Sequence, residues 1–281
     1  MSPEHSAASP FAALRPLPTG GRFTPLGPHL AIAPTVSVVV PAMNEAENLP
    51  HVFATLPSWI HEVVLVDGHS TDDTIAVARR LRPGLRVIRQ RGRGKGNALA
   101  EGFAACTGEI IVMIDADGST DGREIIQFVS ALVSGADFAK GSRYIPGGGS
   151  DDLTFTRRLG NTLLRRLVNR IYRTRYTDLC YGYNAFWARH LPTLDLDCEG
   201  FEVETLMNIR AARAGLRVHE VPSHERCRLH GESNLNAVRD GLRVLRTILR
   251  ERRRPAVRPH APAHAKAAGQ TANQAANQGA A

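Results

Sequence analysis

Three unbroken aliphatic runs constrain the fold of this chain most: Val36-Ser37-Val38-Val39-Val40, Val63-Val64-Leu65-Val66 and Ile110-Ile111-Val112-Met113-Ile114. A strand wetted on one face alternates apolar with polar residues, whereas a nearly continuous apolar strand needs cover on both faces. Segments of helical period lie between the runs, so the expected class is α/β, a mostly parallel sheet covered by helices. Leu85–Ile88 and Asp137–Lys140 read as further strands. Helices are expected from near Glu47, over Lys95–Cys106 and over Ile125–Leu132. One more should follow Asp67, with Ser70 or Thr71 as N-cap and Asp72 and Asp73 in its first turn, where carboxylates suit the helix dipole.

In such sheets ligands bind beyond the carboxyl ends of the strands. That rule gathers Glu45, Asp67 and Asp115 around one cleft. Asp115-Ala116-Asp117 places two acids one small residue apart at a strand end, and on extended backbone alternate side chains share a direction. Two such carboxylates suit Mg²⁺ or Mn²⁺, which takes a few carboxylates together with substrate phosphate oxygens. Taken alone, the pair reads equally well as two solvent-facing acids. The basic, glycine-rich loop Arg91–Asn97 opens a helix, where backbone N–H groups can approach an anion. A plain turn explains it as well.

The formal net charge is +8, from 35 Lys and Arg against 27 Asp and Glu, which favours anionic partners. Aromatic residues make up 6% of the chain, and no stacking platform or recognition motif accompanies the arginines, so nucleic acid is not an expected partner. The four cysteines are scattered, which suits a reduced, cytoplasmic protein. His219, His224, Cys227 and His230 crowd together, but their spacing matches no standard zinc pattern. Phe23–Asn44 is uncharged yet carries Pro25, Pro28, Pro34 and Pro41, which exclude a spanning helix. Residues 1–33 read as a flexible leader, 34–254 as the folded domain and 255–281 as a disordered tail. Two stripes, Leu159–Tyr172 and Leu235–Leu249, are apolar at helical spacing and studded with arginine, giving basic amphipathic helices towards the C-terminus. Such helices either meet an anionic membrane surface or form the solvated face of a domain.

Five motifs occur in order: Val39-Val40-Pro41-Ala42-Met43-Asn44-Glu45, Val66-Asp67-Gly68-His69-Ser70-Thr71-Asp72, Asp115-Ala116-Asp117, Gly141-Ser142-Arg143-Tyr144 and Arg228-Leu229-His230-Gly231-Glu232-Ser233. Together they resemble glycosyltransferase family 2, in its dolichyl- or polyprenyl-phosphate sugar transferase branch, over about Val36 to Arg250. The resemblance implies a GT-A type, Rossmann-like single domain. It also implies an inverting, metal-dependent transfer from a nucleoside-diphosphate sugar of the GDP-mannose or UDP-glucose type. The implied acceptor is a polyprenyl phosphate, which would bring the protein to the inner face of the membrane. Pro41, Glu45, Asp67, Lys95, Asp115 and Ala116 then border the nucleotide, and a carboxylate suits a ring N–H or ribose hydroxyl. Asp117 becomes the direct metal ligand, with Asp115 and Ser119 beside it. Arg143 and Arg228 match phosphate contacts, work that suits the planar guanidinium fork.

Three positions depart from the family pattern. Ser119 stands where glutamine is usual near the metal, Asn234 replaces the lysine after Gly231-Glu232-Ser233, and His69 follows Gly68 where a paired aspartate is common. A phosphate acceptor needs no general base, because its oxygen is already anionic. A hydroxyl acceptor needs one, with Asp178, Glu202 and Glu204 as candidates. A non-catalytic nucleotide-sugar or membrane-surface binding module on the same fold is the alternative from another class.

Overall fold

The computed structural model describes residues 33–232 and 235–255. The expected leader and tail (apart from Ala33 and Pro255) and Asn234 lie outside the described residues. Seven strands form one sheet in the order β3-β2-β1-β4-β7-β5-β8. The first four are β1 (Val36–Ala42), β2 (Glu62–Asp67), β3 (Arg86–Arg89) and β4 (Ile110–Met113), all parallel. They are linked by helices α1 (Leu49–Thr55), α2 (Thr74–Leu81) and α3 (Gly94–Ala105). β5 (Phe138–Ser142) follows α4 (Ile125–Val133), and β8 (Val218–Pro222) runs parallel to it. β7 (Asn184–Trp187) enters antiparallel between β4 and β5, so the mostly parallel expectation has one reversed strand. A small ribbon, β6 (Gly149–Ser150) with β9 (His224–Glu225), lies outside the main sheet.

Burial explains the runs. Val38, Val40, Leu65, Ile110 and Val112 point to one face, against Leu49 and Val52 of α1 and Phe128 of α4. Their neighbours Val39, Val64, Val66, Ile111 and Met113 point to the other, against Leu99 and Phe103 of α3 and Val203 and Met207 of α7 (Val203–Arg213). Both sets are dry because helices cover both faces, the condition that permits uninterrupted valine and isoleucine. A third cluster joins α5 (Phe155–Tyr172), α7 and α8 (Ala237–Arg253) through Val168, Ile209, Val244 and Ile248. The two basic amphipathic helices are thus α5 and α8, and each gives only part of its apolar stripe to this cluster. Leu159, Leu163, Val238, Leu242 and Leu249 remain exposed. α6 (Leu191–Leu194) completes the set.

The second helix starts later than expected. Ser70 accepts a hydrogen bond from the Asn44 amide (3.0 Å), so it is engaged in the loop rather than at a cap. α2 begins at Thr74 with Asp73 at the N-cap, so neither Asp72 nor Asp73 lies in its first turn. Asp72, just before the cap, accepts from the Thr74 amide (3.0 Å).

Two helical glycines differ in surroundings. A Cβ on Gly102, in α3, would lie 2.5 Å from Val39 Cγ1 and 2.8 Å from Val66 Cγ2, whereas one on Gly160, in α5, would meet nothing within 4 Å. Gly160→Ala should therefore stabilise the fold by about 0.5–1 kcal/mol through backbone entropy. Gly102→Ala should destabilise it by about 1–3 kcal/mol through overpacking. Urea midpoints that move in opposite directions at unchanged slope check both.

Candidate active site

β1, β2 and β4 end side by side, and the segments leaving them border a cleft of about 210 Å³. Its walls include Pro41, Glu45, Gly68, Lys95, Asp115, Ala116, Asp117, Phe201 and Arg228. The loops after β1 and β2 hold Asn44 and His69 at φ 58° and 66°, a left-handed backbone that costs energy for residues with a Cβ. Hydrogen bonds between the loops sustain it: the Thr71 amide donates to Asn44 Oδ1 (2.8 Å) and the Ala46 amide to Asp72 (3.1 Å). Asp67, at the end of β2, is fully buried, and its carboxylate accepts from the Ser70 amide (3.2 Å) and from Arg89 (3.5 Å). Gly68, next to it, is the residue that reaches the cleft.

Past β4 the chain turns at Gly118 (φ 78°), leaving Asp115 and Asp117 at the cleft. The two acids have different partners. Asp115 is bound by Lys95 at 2.5 Å, and the same ammonium reaches Glu204 at 2.8 Å. Burial alone would lower the Lys95 pKa, but the two carboxylates outweigh it and hold the pKa above its ordinary value. A Cβ on Gly182 would come within 2.6 and 2.8 Å of Asp115 and Lys95, so a side chain there would make this pair shift. Asp117 is partly open, with 24% of its side chain exposed, and accepts from the Ser119 amide (3.0 Å). Ser119 thus orients Asp117 through its backbone, which any residue type can do, and its own side chain is buried.

Glu45 faces Asp117 across the cleft. Burial pushes its carboxyl pKa up, against hydrogen bonds from Asn48 (2.6 Å) and Arg228 (2.6 Å). The Arg228 guanidinium reaches Asp117 as well, at 3.6 Å. Among the described residues no group of three or more His, Cys, Asp or Glu is placed to hold an ion unaided. The donor set still fits a hard divalent cation bound jointly with a substrate, because such an ion needs only one or two carboxylates plus phosphate oxygens. Both acids are partly exposed, Asp115 at 29%, but Asp115 is tied to Lys95 at 2.5 Å, which leaves Asp117 the carboxylate without a close ion pair.

Two expectations change. Arg143 does not present a free guanidinium. It is buried over the Tyr181 ring, 4.8 Å from the centroid, and bonds Asp178 (2.7 and 3.0 Å), Glu225 (2.8 Å) and the Cys180 carbonyl (3.1 Å). Four of its five N–H groups are engaged within the protein. Asp178 is correspondingly no base: none of its side chain is exposed. Burial pushes its pKa up, but the Arg143 hydrogen bonds and charge more than reverse this and hold it low. The loop Arg91–Asn97 commits part of its backbone within the protein, while Gly94 and Lys95 line the cleft. Its Arg91, Gly92 and Gly96 amides donate to Glu101 (2.9 Å), Asn97 (3.0 Å) and the Glu199 carbonyl (2.8 Å). Its contribution is to deliver Lys95 at the first turn of α3.

Phe201 also borders a second, mostly apolar groove of about 290 Å³ between α5 and α8, with Leu159, Leu163, Leu235 and Val238 along it and Arg143 and Arg157 at its wall. No described helix is long and apolar enough to cross a membrane.

Comparison with known proteins decides the lineage: the model of glycosyl transferase family 2 matches residues 37–193, the segment that carries β1 to β5, β7 and the aspartate pair. The chain belongs to this family. It is 31% identical over 210 residues to the dolichol-phosphate mannosyltransferase of Pyrococcus furiosus, a match covering 71% of this chain and 59% of that one. It is 32% identical over 202 residues to the polyprenol monophosphomannose synthase of Mycolicibacterium smegmatis, covering 66% and 75%. The glucosyl-3-phosphoglycerate synthase of Mycobacterium tuberculosis, solved with Mn²⁺, UDP-glucose and phosphoglyceric acid, superposes at TM-score 0.61 with 26% identity, covering 79% and 81%. The chain is therefore a glycosyltransferase of GT-A type, similar both to enzymes named for dolichol phosphate and polyprenol and to one solved with phosphoglyceric acid.

Sequence reasoning missed the closing partners of this site. Asn48, three residues after Glu45, holds both Glu45 and the His230 backbone, and Glu225 completes the Arg143 cluster. The Asn48 spacing was the only local signal for either. If Asp178 serves Arg143 as a buried counter-ion, Asp178→Asn should cost about 3–5 kcal/mol of folding stability. Equilibrium urea unfolding checks it, and a variant of native stability would restore Asp178 as a candidate base.

Proposed function

We propose that the chain transfers a hexose from a nucleoside-diphosphate donor, of the GDP-mannose or UDP-glucose type, to a polyprenyl phosphate, with inversion at the anomeric carbon. The observation that carries this reading is the convergence of Glu45, Asp115, Asp117 and Arg228 on one cleft at the carboxyl ends of β1, β2 and β4. In this reading Pro41, Ala116, Glu45 and the Asp67-Gly68 turn border the nucleoside, and Lys95 balances the acids beside the diphosphate. A Mg²⁺ or Mn²⁺ ion held by Asp117 and the donor would supply Lewis-acid stabilisation of the departing diphosphate. The acceptor oxygen is already anionic, so the protein has only to position it and shield charge, with Arg228 as the cleft arginine suited to a phosphate. The apolar groove between α5 and α8, which shares Phe201 with the cleft, supports an acceptor with an anionic head and a hydrocarbon tail. Arginines flanking exposed leucines on both helices support contact with an anionic membrane surface from the cytoplasmic side. The working domain is then 34–254, between a leader and a tail without chemistry.

One observation favours a second reading. Glu202 follows Phe201, which borders both cleft and groove. Its Oε1 accepts from the Gly200 amide (3.2 Å) while its Oε2 is buried without a hydrogen-bond partner, so it would reach an acceptor only by turning outward. An uncommitted carboxylate oxygen there is what a hydroxyl acceptor would need as a base.

Thermal-shift assays with GDP, UDP and their sugars, with and without Mn²⁺, should show one nucleotide raising the melting temperature more with the ion. Asp117→Asn should cut transfer about 10²–10³-fold, the scale for loss of one transition-state stabiliser. Wild-type turnover in that variant overturns the metal assignment. Transfer to soluble alcohols but not to polyprenyl phosphate, abolished by Glu202→Gln, selects the second reading.

A further inference from the structure

The segment Arg226–His230 runs over the aspartate loop and is tied to it through backbone. The Arg226 amide donates to the Ser119 carbonyl (2.8 Å) and the Leu229 amide to the Asp117 carbonyl (3.2 Å). Its end is held from the other side of the cleft: the His230 amide donates to Asn48 Oδ1 (3.0 Å), and Asn48 Nδ2 donates to the His230 carbonyl (3.1 Å). Leu229 packs on Gly118, within 2.6 Å of where a Cβ there would stand. Only the Arg228 side chain enters the cleft. Its Nε bonds the His230 carbonyl (2.6 Å), one terminal nitrogen bonds Glu45 (2.6 Å), and the other stands 3.6 Å from Asp117.

Arg228 therefore places a positive charge beside Asp117, the carboxylate of the aspartate pair whose nearest cation stands off at 3.6 Å while Asp115 is held by Lys95 at 2.5 Å, and all three guanidinium nitrogens already have neighbours. A guanidinium and a divalent cation cannot both neutralise the same partly buried carboxylate without mutual repulsion. We propose that Arg228 is a displaceable stand-in for the metal ion: it holds Asp117 and Glu45 in the ligand-free protein, and arrival of the cation drives it off Asp117. The backbone ties leave the strap in place while the side chain turns. The displaced guanidinium is then free to meet an anionic acceptor, which couples the two sites and favours binding of the metal with the donor before the acceptor. By linkage, each cation weakens the other's hold on Asp117 to the same degree. This inference rests on the metal-and-donor reading of the cleft.

The test titrates Mn²⁺ alone and reads the free ion by electron paramagnetic resonance, so it requires neither turnover nor a known sugar. Asp117→Asn identifies the Asp117-dependent site. Arg228→Ala and Arg228→Gln should each tighten Mn²⁺ at that site by at least about fivefold, the lower bound of ordinary coupling between sites. Arg228→Gln retains a hydrogen-bond donor and loses only the charge, so it serves if the alanine variant fails to fold. Arg228→Lys, which keeps the charge, should stay close to wild type. Asp117-dependent Mn²⁺ binding that is unchanged or weaker in both neutral variants overturns the inference and leaves the metal reading standing. Where Mn²⁺ alone shows no Asp117-dependent binding, the same variants are compared with GDP or UDP present. Absence of Asp117-dependent binding there too, in wild type and variants alike, would instead remove the metal reading itself.

Discussion

Like charges crowd one end of this sheet, and the rest of the site depends on how they are kept together. Glu45, Asp115, Asp117 and Glu204 stand around a partly dry cleft, where their mutual repulsion is weakly screened. Two cations answer it. Lys95, delivered by the first turn of α3, binds Asp115 and Glu204, and Arg228, delivered by the strap, binds Glu45 and faces Asp117. The difference between them is exposure and purchase. Lys95 is 12% exposed and within 2.8 Å of two acids, a permanent part of the wall, whereas Arg228 holds Asp117 only at 3.6 Å. Three of the four acids thus have a close cationic partner, Asp115 and Glu204 in Lys95 and Glu45 in Arg228, and Asp117 is the one held only loosely.

The donor half was legible because its signals are local. Valine and isoleucine runs mark β1, β2 and β4, and each runs within two residues into one that borders the cleft (Ala42, Gly68 and Asp115), so strand end and site lie close in the sequence. The second half resisted for a physical reason. β7 is four residues long, Asn184–Trp187, and is a strand only because β4 and β5 flank it, some seventy and forty-five residues away in the chain. α7 is buried nearly all round, so it has no polar face to announce a helical period. Arg143 shows the same limit for side chains. Its motif placed it correctly after β5, but its partners Asp178 and Glu225 lie 35 and 82 residues further on. Nothing local says whether an arginine at such a place faces a ligand or closes an internal ion cluster. Ser70 is a smaller case, where a good capping residue serves a neighbouring loop and Asp73 stands at the N-cap instead.

The reversed strand has a consequence for how the polypeptide comes to be. β1 to β4 pair with one another in a block that ends at Met113, each new parallel strand closing on one already made. That block and its helices can assemble as soon as it leaves the ribosome, in the manner of units that fold from the N-terminus during synthesis. β5 has no place beside β4 until β7 arrives to separate them, and β8 waits on β5. The first four strands therefore form a platform, and the rest of the sheet is built onto it, with α7 covering one of its faces through Val203 and Met207. α5, α8 and the segment 226–230 all fall after that point in the chain, so changes to them leave the pairing of the first four strands undisturbed.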